Sequence, residues 1–371
     1  MEMPNLTIEL LTTLEQVAVH QERWNQLSGN RTQLRWEWLG SWADHYCHDQ
    51  QLMVLVVRDD EEIIGFTPWY VTQSQLSGRT IRFLGDGKVG TNHMTLLIEQ
   101  DREQDVVIEV ADWLMAQRNN RNARWNDLEF SGVDHDDKIM RSLTLTMIDS
   151  GNRLNQADEV EYDDSELPDT MDEYIQQRST SGKRKCRNIR EWLENDRFRI
   201  VAPQTQDELQ QQWDAFIDLH NKRRSDTGEA GWFEHYPYGE FLRDASSKLI
   251  ESGLLRLTFV YYDGQPIAVQ HALLSDDCWM YYQSGIQVSH GEFTLGQLVL
   301  YHTIEQRIKE GKQSVDMTPE GRPYKLRWHG EPNTTSKIHL TAPLRFAIIH
   351  KSAWKLRRKL KSWAKQTVYS A

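Results

Sequence analysis

Residues Trp279–Gly330 read WMYYQSGIQVSHGEFTLGQLVLYHTIEQRIKEGKQSVDMTPEGRPYKLRWHG. Trp279–Ser284 is aromatic and uncharged, with Tyr281 and Tyr282 inside it, as suits a buried strand. Gly285 ends that run, and a polar loop with Gly291 follows. Thr294 opens an apolar-periodic series (Leu295, Leu298, Val299, Ile304, Ile308), which predicts an amphipathic helix closing at Gly311. A short strand, Ser314–Met317, and the string YKLRW at Tyr324–Trp328 complete the stretch. A strand running through a glycine-containing loop into a helix can cradle an anion, because the first-turn amides and the helix dipole both favour negative charge there. On these features alone an ordinary strand–loop–helix crossover is the plainer reading.

Working outward, the second half predicts helices near Thr170–Gln177, Lys183–Asn195, Asp207–Arg224 and Tyr238–Ser252. Its strands are predicted at Arg197–Val201, Leu254–Tyr262, Gln265–Leu274, Cys278–Ser284 and Ser336–Leu340, with turns at Asp263-Gly264 and Asp276-Asp277. The first half predicts the same plan. It has a strand at Thr7–Leu11, helices at Leu14–Leu27 and Leu34–Tyr46, and strands at Gln51–Arg58, Glu62–Thr72 and Arg79–Leu84. A helix at Asp105–Arg118, a strand at Asn126–Phe130, a helix at Ile139–Ser150 and a strand at Arg153–Val160 follow. The expected fold class is α/β with mixed sheets, duplicated within the chain. Gly85, Gly87 and Gly90 form a glycine-rich loop without the spacing of a known phosphate loop. Asp158, Glu159, Glu161, Asp163, Asp164, Glu166, Asp169, Asp172 and Glu173 form an acidic run, expected to be a solvated boundary. The expected domains are 1–165 and 166–341, followed by a C-terminal helix over 342–371.

The 371 residues exceed one usual core. No apolar run reaches the ~18 residues of a membrane span, and the N-terminus lacks a secretion signal. Cys47, Cys186 and Cys278 are scattered, which suits the cytoplasm. A net charge of −12 argues against a nucleic-acid partner. From Ala342 onward no acidic residue occurs, while Phe346, Ile349, Ala353, Leu356, Leu360 and Trp363 lie on one helical stripe among lysines and arginines. That stripe packs on the second domain or a twin chain in a homodimer, or it rests peripherally on an anionic membrane.

Three blocks resemble the CelD/BcsL-type proteins, a bacterial branch of the GNAT acyltransferase superfamily. They are YYQSG at Tyr281–Gly285 with Gly296, Gly311, Asp316 and YKLRW at Tyr324–Trp328; RSTSGKRKCRNIREWLE at Arg178–Glu194; and LHNKRRSDTGEAGWF at Leu219–Phe233. The resemblance is strong over about residues 165–341. It implies two tandem GNAT-like domains, and the Fem-type peptidyltransferases share that layout. It further implies acyl transfer from acetyl-CoA or another acyl-CoA, without a metal. The acceptor would be a small molecule, a sugar, an amino sugar or a lipid-linked glycan in envelope or exopolysaccharide (cellulose-like) biosynthesis. The cofactor would meet Tyr282, Ser284, Gly285, Gly291, Thr294 and Gly296. The loop HGEFTLG departs from the R/Q-x-x-G-x-G/A phosphate fingerprint, since Gly291 and Gly296 stand five apart.

Acyl transfer needs an anchored donor, hydrogen bonds to the developing oxyanion and removal of a proton from the nucleophile. The resemblance gives Lys325 charge neutralisation at the reacting group or phosphate binding, with Tyr324 able to protonate a leaving thiolate. A surface cation and a core aromatic are the plain alternative. In an extended segment Lys325 and Arg327 share one face; in a helix Tyr324 lies with Arg327 or Trp328. Asp316, at a strand end, orients an amine or Lys325, or simply forms a turn. His220 and Arg223, three apart on one helix, offer a base and a cation. His271 is a second strand-borne histidine. Lys183, Arg187 and Arg190 share a helical face, with Arg184 and Lys185 beside it, suited to a phosphate, a nucleotide sugar or an anionic headgroup, or to solvent. The substrate set is Arg184, Arg187, Arg190, Arg223, Arg327 and Trp328. A Fem-like aminoacyl transferase and a non-catalytic scaffold at a membrane synthase are the rival readings.

Overall fold

The computed structural model describes residues 6–75, 78–120, 123–226, 228, 231–276, 278–287, 293–311, 314–316 and 331–343. The chain divides into two compact units. Unit 1 holds residues 1–29, 34–159 and 335–371; unit 2 holds 30–33 and 160–334.

Unit 1 begins with β1 (Leu6–Leu11), α1 (Leu14–Ala18), α2 (Gln21–Ser28) and α3 (Trp36–Tyr46). Thr13 and Gln16 form a reciprocal capping box that starts α1. The single helix expected over Leu14–Leu27 is two helices, with Val19, 76% exposed, at the break. There follow β2 (Gln51–Leu52), β3 (Val54–Asp59), β4 (Glu62–Phe66), β5 (Trp69–Ser74), β6 (Gly78–Phe83), β7 (Leu97–Ile98) and α4 (Glu103–Ala116). The unit continues with β8 (Asp127–Asp134), α5 (Lys138–Asp149) and β9 (Arg153–Glu166). The strand expected over Glu62–Thr72 is interrupted at Thr67-Pro68. Proline has no N–H for a ladder, so β4 joins the sheet β1-β3-β4-β7 while β5 pairs with β2 and β6. β6 and β8 are parallel, with Thr80 opposite Asp127 and Arg82 opposite Glu129. Trp24, Trp38, Trp42, Trp69 and Trp125 are all buried in this unit.

Unit 2 contains α6 (Met171–Gln176), α7 (Thr180–Leu193), β10 (Phe198–Val201), α8 (Gln206–Asp226) and α9 (Tyr238–Glu251). After these come β11 (Leu255–Tyr262), β12 (Gln265–Leu274), β13 (Cys278–Ile286), α10 (Leu295–Lys309) and β14 (Ser314–Asp316). Strands β10 to β13 form an antiparallel meander. Asp263 and Gly264, both at positive φ, make the β11–β12 turn. β14 then pairs parallel to β13. Of the acidic run expected as a solvated boundary, the part up to Glu166 belongs to β9, where Asp164–Glu166 pair antiparallel with β14, while Asp172 and Glu173 lie in the first turn of α6. Backbone pairing is indifferent to side-chain charge, and β14 has an edge to satisfy. The division between units falls after Glu159, within β9.

Adjacent residues of β12 reach opposite layers, as strand alternation requires. Gln270 accepts from Thr303 of α10, whereas His271 hydrogen-bonds Ser246 of α9 and stacks on Phe216 of α8. On the α10 side, Tyr174, Cys186, Ile189, Val260, Ile267, Leu298, Val299, Ile304 and Val315 form one apolar cluster. Each large apolar side chain so buried contributes about 1.5–3 kcal/mol. The last strand, β15 (Glu331–Thr341), is longer than expected, and its residues 335–341 pair with β8 in unit 1.

Candidate functional site

The geometry of unit 2 turns on where β13 and β14 stop pairing. Their register covers only Cys278–Met280 against Ser314–Asp316, while β13 runs on to Ile286. The Gln287 amide donates to the Ile267 carbonyl on β12. By alternation Gly285 faces β12 and Ser284 faces the other edge. Among the described residues no strand pairs with that edge at Ser284. A backbone edge of this kind offers amides and carbonyls to an extended ligand.

α10 starts close to this point in the chain. Its N-cap residue, Thr294, has φ +46° and ψ +53°, and its side chain caps nothing. A β-branched residue in the left-handed region is costly, on the order of 1–3 kcal/mol, and such strain concentrates at functional sites. The amides of Gln297 and Leu298 bond to the Thr294 carbonyl. Those of Leu295 and Gly296 precede the first helical bond and, with the dipole, suit an anion. The carboxyl end of a parallel strand meeting a helix N-terminus is also where open α/β sheets bind ligands.

α8 lies directly on β13. A Cβ added at Gly285 would come within 2.5 Å of the His220 nitrogen and the Leu219 carbonyl carbon. Gly285 is therefore fixed by close packing of two backbones. Arg223, one turn beyond His220, donates through Nη1 to the Ser284 carbonyl at 3.2 Å and to Ser284 Oγ. Arg224 stacks over the Trp232 ring at 4.6 Å, and Tyr238 Oη donates to Tyr282 Oη at 3.4 Å. Sequence reasoning missed Arg224, Trp232 and Tyr238; the aromatic string GWFEHYPY at 231–238 was their one signal.

His220 is 1% exposed. Burial, then the charge of Arg224, pushes its pKa down to about 4, against smaller opposing effects of Asn221 and Gln283. It is thus neutral at pH 7 and a poor proton store. His271 is fully buried and lowered to about 3 for the same first reason. Asp316 ends β14 opposite Met280 and is buried.

The cationic helix α7 is divided. Arg190 donates to Tyr301 of α10 at 3.3 Å and to Asp172 at 3.2 Å, and these two bonds raise its pKa. Arg184 and Arg187 are exposed. The structure thus brings Arg223, Ser284, Gly285 and His220 together, with Tyr282 beside them, and commits Arg190 to the α7–α10 packing. Lys325, Tyr324, Arg327, Trp328 and Gly291 lie outside the described residues, as does the C-terminal stripe.

Residues 180–326 match the model of the acetyltransferase (GNAT) domain. Unit 2 has a GNAT acyltransferase fold. No curated protein matches the chain. Among solved structures, a protein of unknown function from Bacteroides thetaiotaomicron is 13% identical, with a TM-score of 0.54 over 91% of this chain and 100% of its own. FemX is 9% identical, with a TM-score of 0.56 over 81% and 94%. The C-terminal domain of a putative lysylphosphatidylglycerol synthetase from Agrobacterium fabrum is 10% identical, with a TM-score of 0.53 over 93% and 98%. At these identities the likeness is one of fold. It extends over both units, so the mixed α/β fold holds for the whole chain, with the GNAT domain matched in unit 2. No helix among the described residues is long and apolar enough to cross a membrane.

Proposed function

We propose that the chain is an acyltransferase that moves an acyl group from acyl-CoA to a sugar, amino-sugar or lipid-linked acceptor. The observation that carries this reading is the early end of β13–β14 pairing, which leaves the Ser284 edge without a paired strand among the described residues, followed along the chain by the uncapped start of α10. The site's chemistry fits a pyrophosphate-bearing cofactor with an amide-containing arm. Leu295 and Gly296 amides would hold its phosphates, and the edge at Ser284 its arm. When bound, the cofactor supplies the activated thioester.

The chain's own residues supply the remainder. Edge amides of β13 are the donors available to an oxyanion. Arg223 fixes Ser284 and sets positive charge where an anionic acceptor group would lie. From the sequence, Lys325 adds a second cation, Tyr324 a proton for the departing thiolate, and Asp316 an anchor for an acceptor amine. Service in envelope or exopolysaccharide synthesis, in the manner of CelD/BcsL-type proteins, rests on the sequence resemblance.

The test is binding. Saturating acetyl-CoA, or a longer acyl-CoA, should raise the melting temperature and slow hydrogen exchange across residues 291–297. Unchanged exchange at saturation removes the cofactor assignment. The likeness to FemX and to a lysylphosphatidylglycerol synthetase domain favours a second reading, aminoacyl transfer from tRNA. A melting shift with aminoacyl-tRNA and none with acyl-CoA would select it.

A further inference from the structure

The strand arrangement that opens the site in unit 2 recurs in unit 1. There β5 and β6 are antiparallel, α4 lies along the chain between β6 and a parallel β8, and β15 pairs antiparallel with β8. In unit 2 the succession is β12, β13, α10 and β14, with β9 beside β14, in the same directions. The parallel register is equally short in both: Thr80–Arg82 against Asp127–Glu129, and Cys278–Met280 against Ser314–Asp316. One strand of each pair then runs on, β13 to Ile286 and β8 to Asp134.

The two gaps differ in what fills them. In unit 1 the chain turns back on itself. Just past β6, the Thr91 amide donates to the Gly85 carbonyl at 3.2 Å, and the Met94 amide donates to the Gly132 carbonyl of β8 at 2.8 Å. β15 holds the opposite edge of β8, so residues 91–94 take the edge that β6 has left. A Cβ at Gly132 would stand 2.3 Å from the Thr91 carbonyl oxygen, and one at Gly85 would stand 2.4 Å from Thr91 Oγ1. Both glycines have positive φ, so each serves a turn and a close approach that a side chain would forbid. Trp38 Nε1 donates to Thr91 Oγ1 at 3.0 Å, and His93 Nδ1 lies 2.8 Å from Asp134 Oδ1. Thr91 and Met94 are buried. The glycine-rich loop at Gly85, Gly87 and Gly90 is therefore the turn that seats residues 91–94.

We propose that residues 91–94 take, in unit 1, the place that an extended ligand takes in unit 2, so that the chain holds one donor site and unit 1 is a closed half. This rests on the assignment of the Ser284 edge to the arm of the cofactor. The segment uses the backbone edge of β8 that an extended ligand would need. Its departure would strand a strand carbonyl and a buried indole N–H. Being tethered, it also competes at an effective concentration on the order of millimolar, which a free ligand must exceed. Unit 1 is thereby left as a scaffold, and the two halves do not alternate as donors.

The test counts sites. Equilibrium dialysis of the full chain against labelled acetyl-CoA should give one site per chain, with hydrogen exchange slowed across residues 291–297 and unchanged across 84–94. Two sites, or slowing across 84–94, overturns the proposal. A second measurement needs no ligand. In the unliganded chain the Met94 amide should exchange at least about a hundredfold more slowly than in an unfolded chain. Exchange at the unfolded rate overturns the closure whether or not acetyl-CoA binds. Gly132→Ala, whose new Cβ meets the Thr91 carbonyl, should speed Met94 exchange by about tenfold or more, and an unchanged rate refutes the contact. A protected Met94 amide with no acetyl-CoA bound would remove the cofactor assignment of unit 2, and the closure of unit 1 would stand.

Discussion

Gly285→Ala probes the contact that holds the site together. The new Cβ would stand 2.5 Å from both the His220 nitrogen and the Leu219 carbonyl carbon, and 2.8 Å from the Leu219 Cβ. Ordinary contacts of this kind begin at 3.4 Å, so α8 must retreat by on the order of 1 Å. Two of the three contacts are backbone and cannot rotate away. Overpacking of this sort costs about 1–3 kcal/mol, which for a protein of this size lowers the melting temperature by roughly 2–4 °C per kcal/mol. The retreat would also draw Arg223 from Ser284. Gly239→Ala is the matched control. It lies in α9 with Phe233 at 3.6 Å, an ordinary contact, and alanine is the better helix former by ~1 kcal/mol. Scanning calorimetry should show Gly285→Ala melting several degrees below the parent and Gly239→Ala at or above it. A Gly285→Ala protein melting with the parent would refute the close packing of α8 on β13 and the account of Arg223 built on it.

Three further outcomes are expected. Lys325→Ala should reduce acyl transfer by roughly two orders of magnitude, as loss of one charge-stabilising donor does, with circular dichroism unchanged; full turnover would make Lys325 a surface cation. His220 and His271 have folded pKa values of about 4 and about 3, below their unfolded values. The unfolded chain therefore takes up protons first as pH falls. The stability they contribute is complete above about pH 6.5 and declines on acidification toward pH 4, by up to ~1.4 kcal/mol per pH unit for each histidine. Urea unfolding of the parent and of His271→Gln should show the smaller slope in the variant, and equal slopes would contradict the buried neutral state. If the basic stripe after Ala342 lies on anionic lipid, the full chain should co-sediment with anionic vesicles at low salt, and a chain ending at Pro343 should not. Equal, negligible sedimentation of both excludes a lipid surface as its partner.

Much of this protein was legible in one dimension. Periodicity placed α10 between Thr294 and Gly311, and the aromatic run placed β13, because both patterns depend on neighbours within a few residues. The turn at Asp263-Gly264 was equally local. The blocks at Tyr281–Gly285 and Leu219–Phe233 carry the resemblance to the acyltransferase fold in the sequence itself.

Other features depended on contacts distant in sequence. The amphipathic pattern of α7 could not show that Arg190 turns to Tyr301, more than a hundred residues away, while Arg184 and Arg187 stay in solvent. The acidic run looked like a solvated linker, yet its first part, up to Glu166, is a strand, because β14 offered an edge. The glycine at 285 read as part of a cofactor loop, whereas the tertiary structure uses its missing Cβ to seat α8. Composition gave His220 a pKa near working pH, and burial took it away. Local spacing and chain propensity lie in the sequence; pairing partners, desolvation and the approach of one backbone to another exist only once the chain has folded.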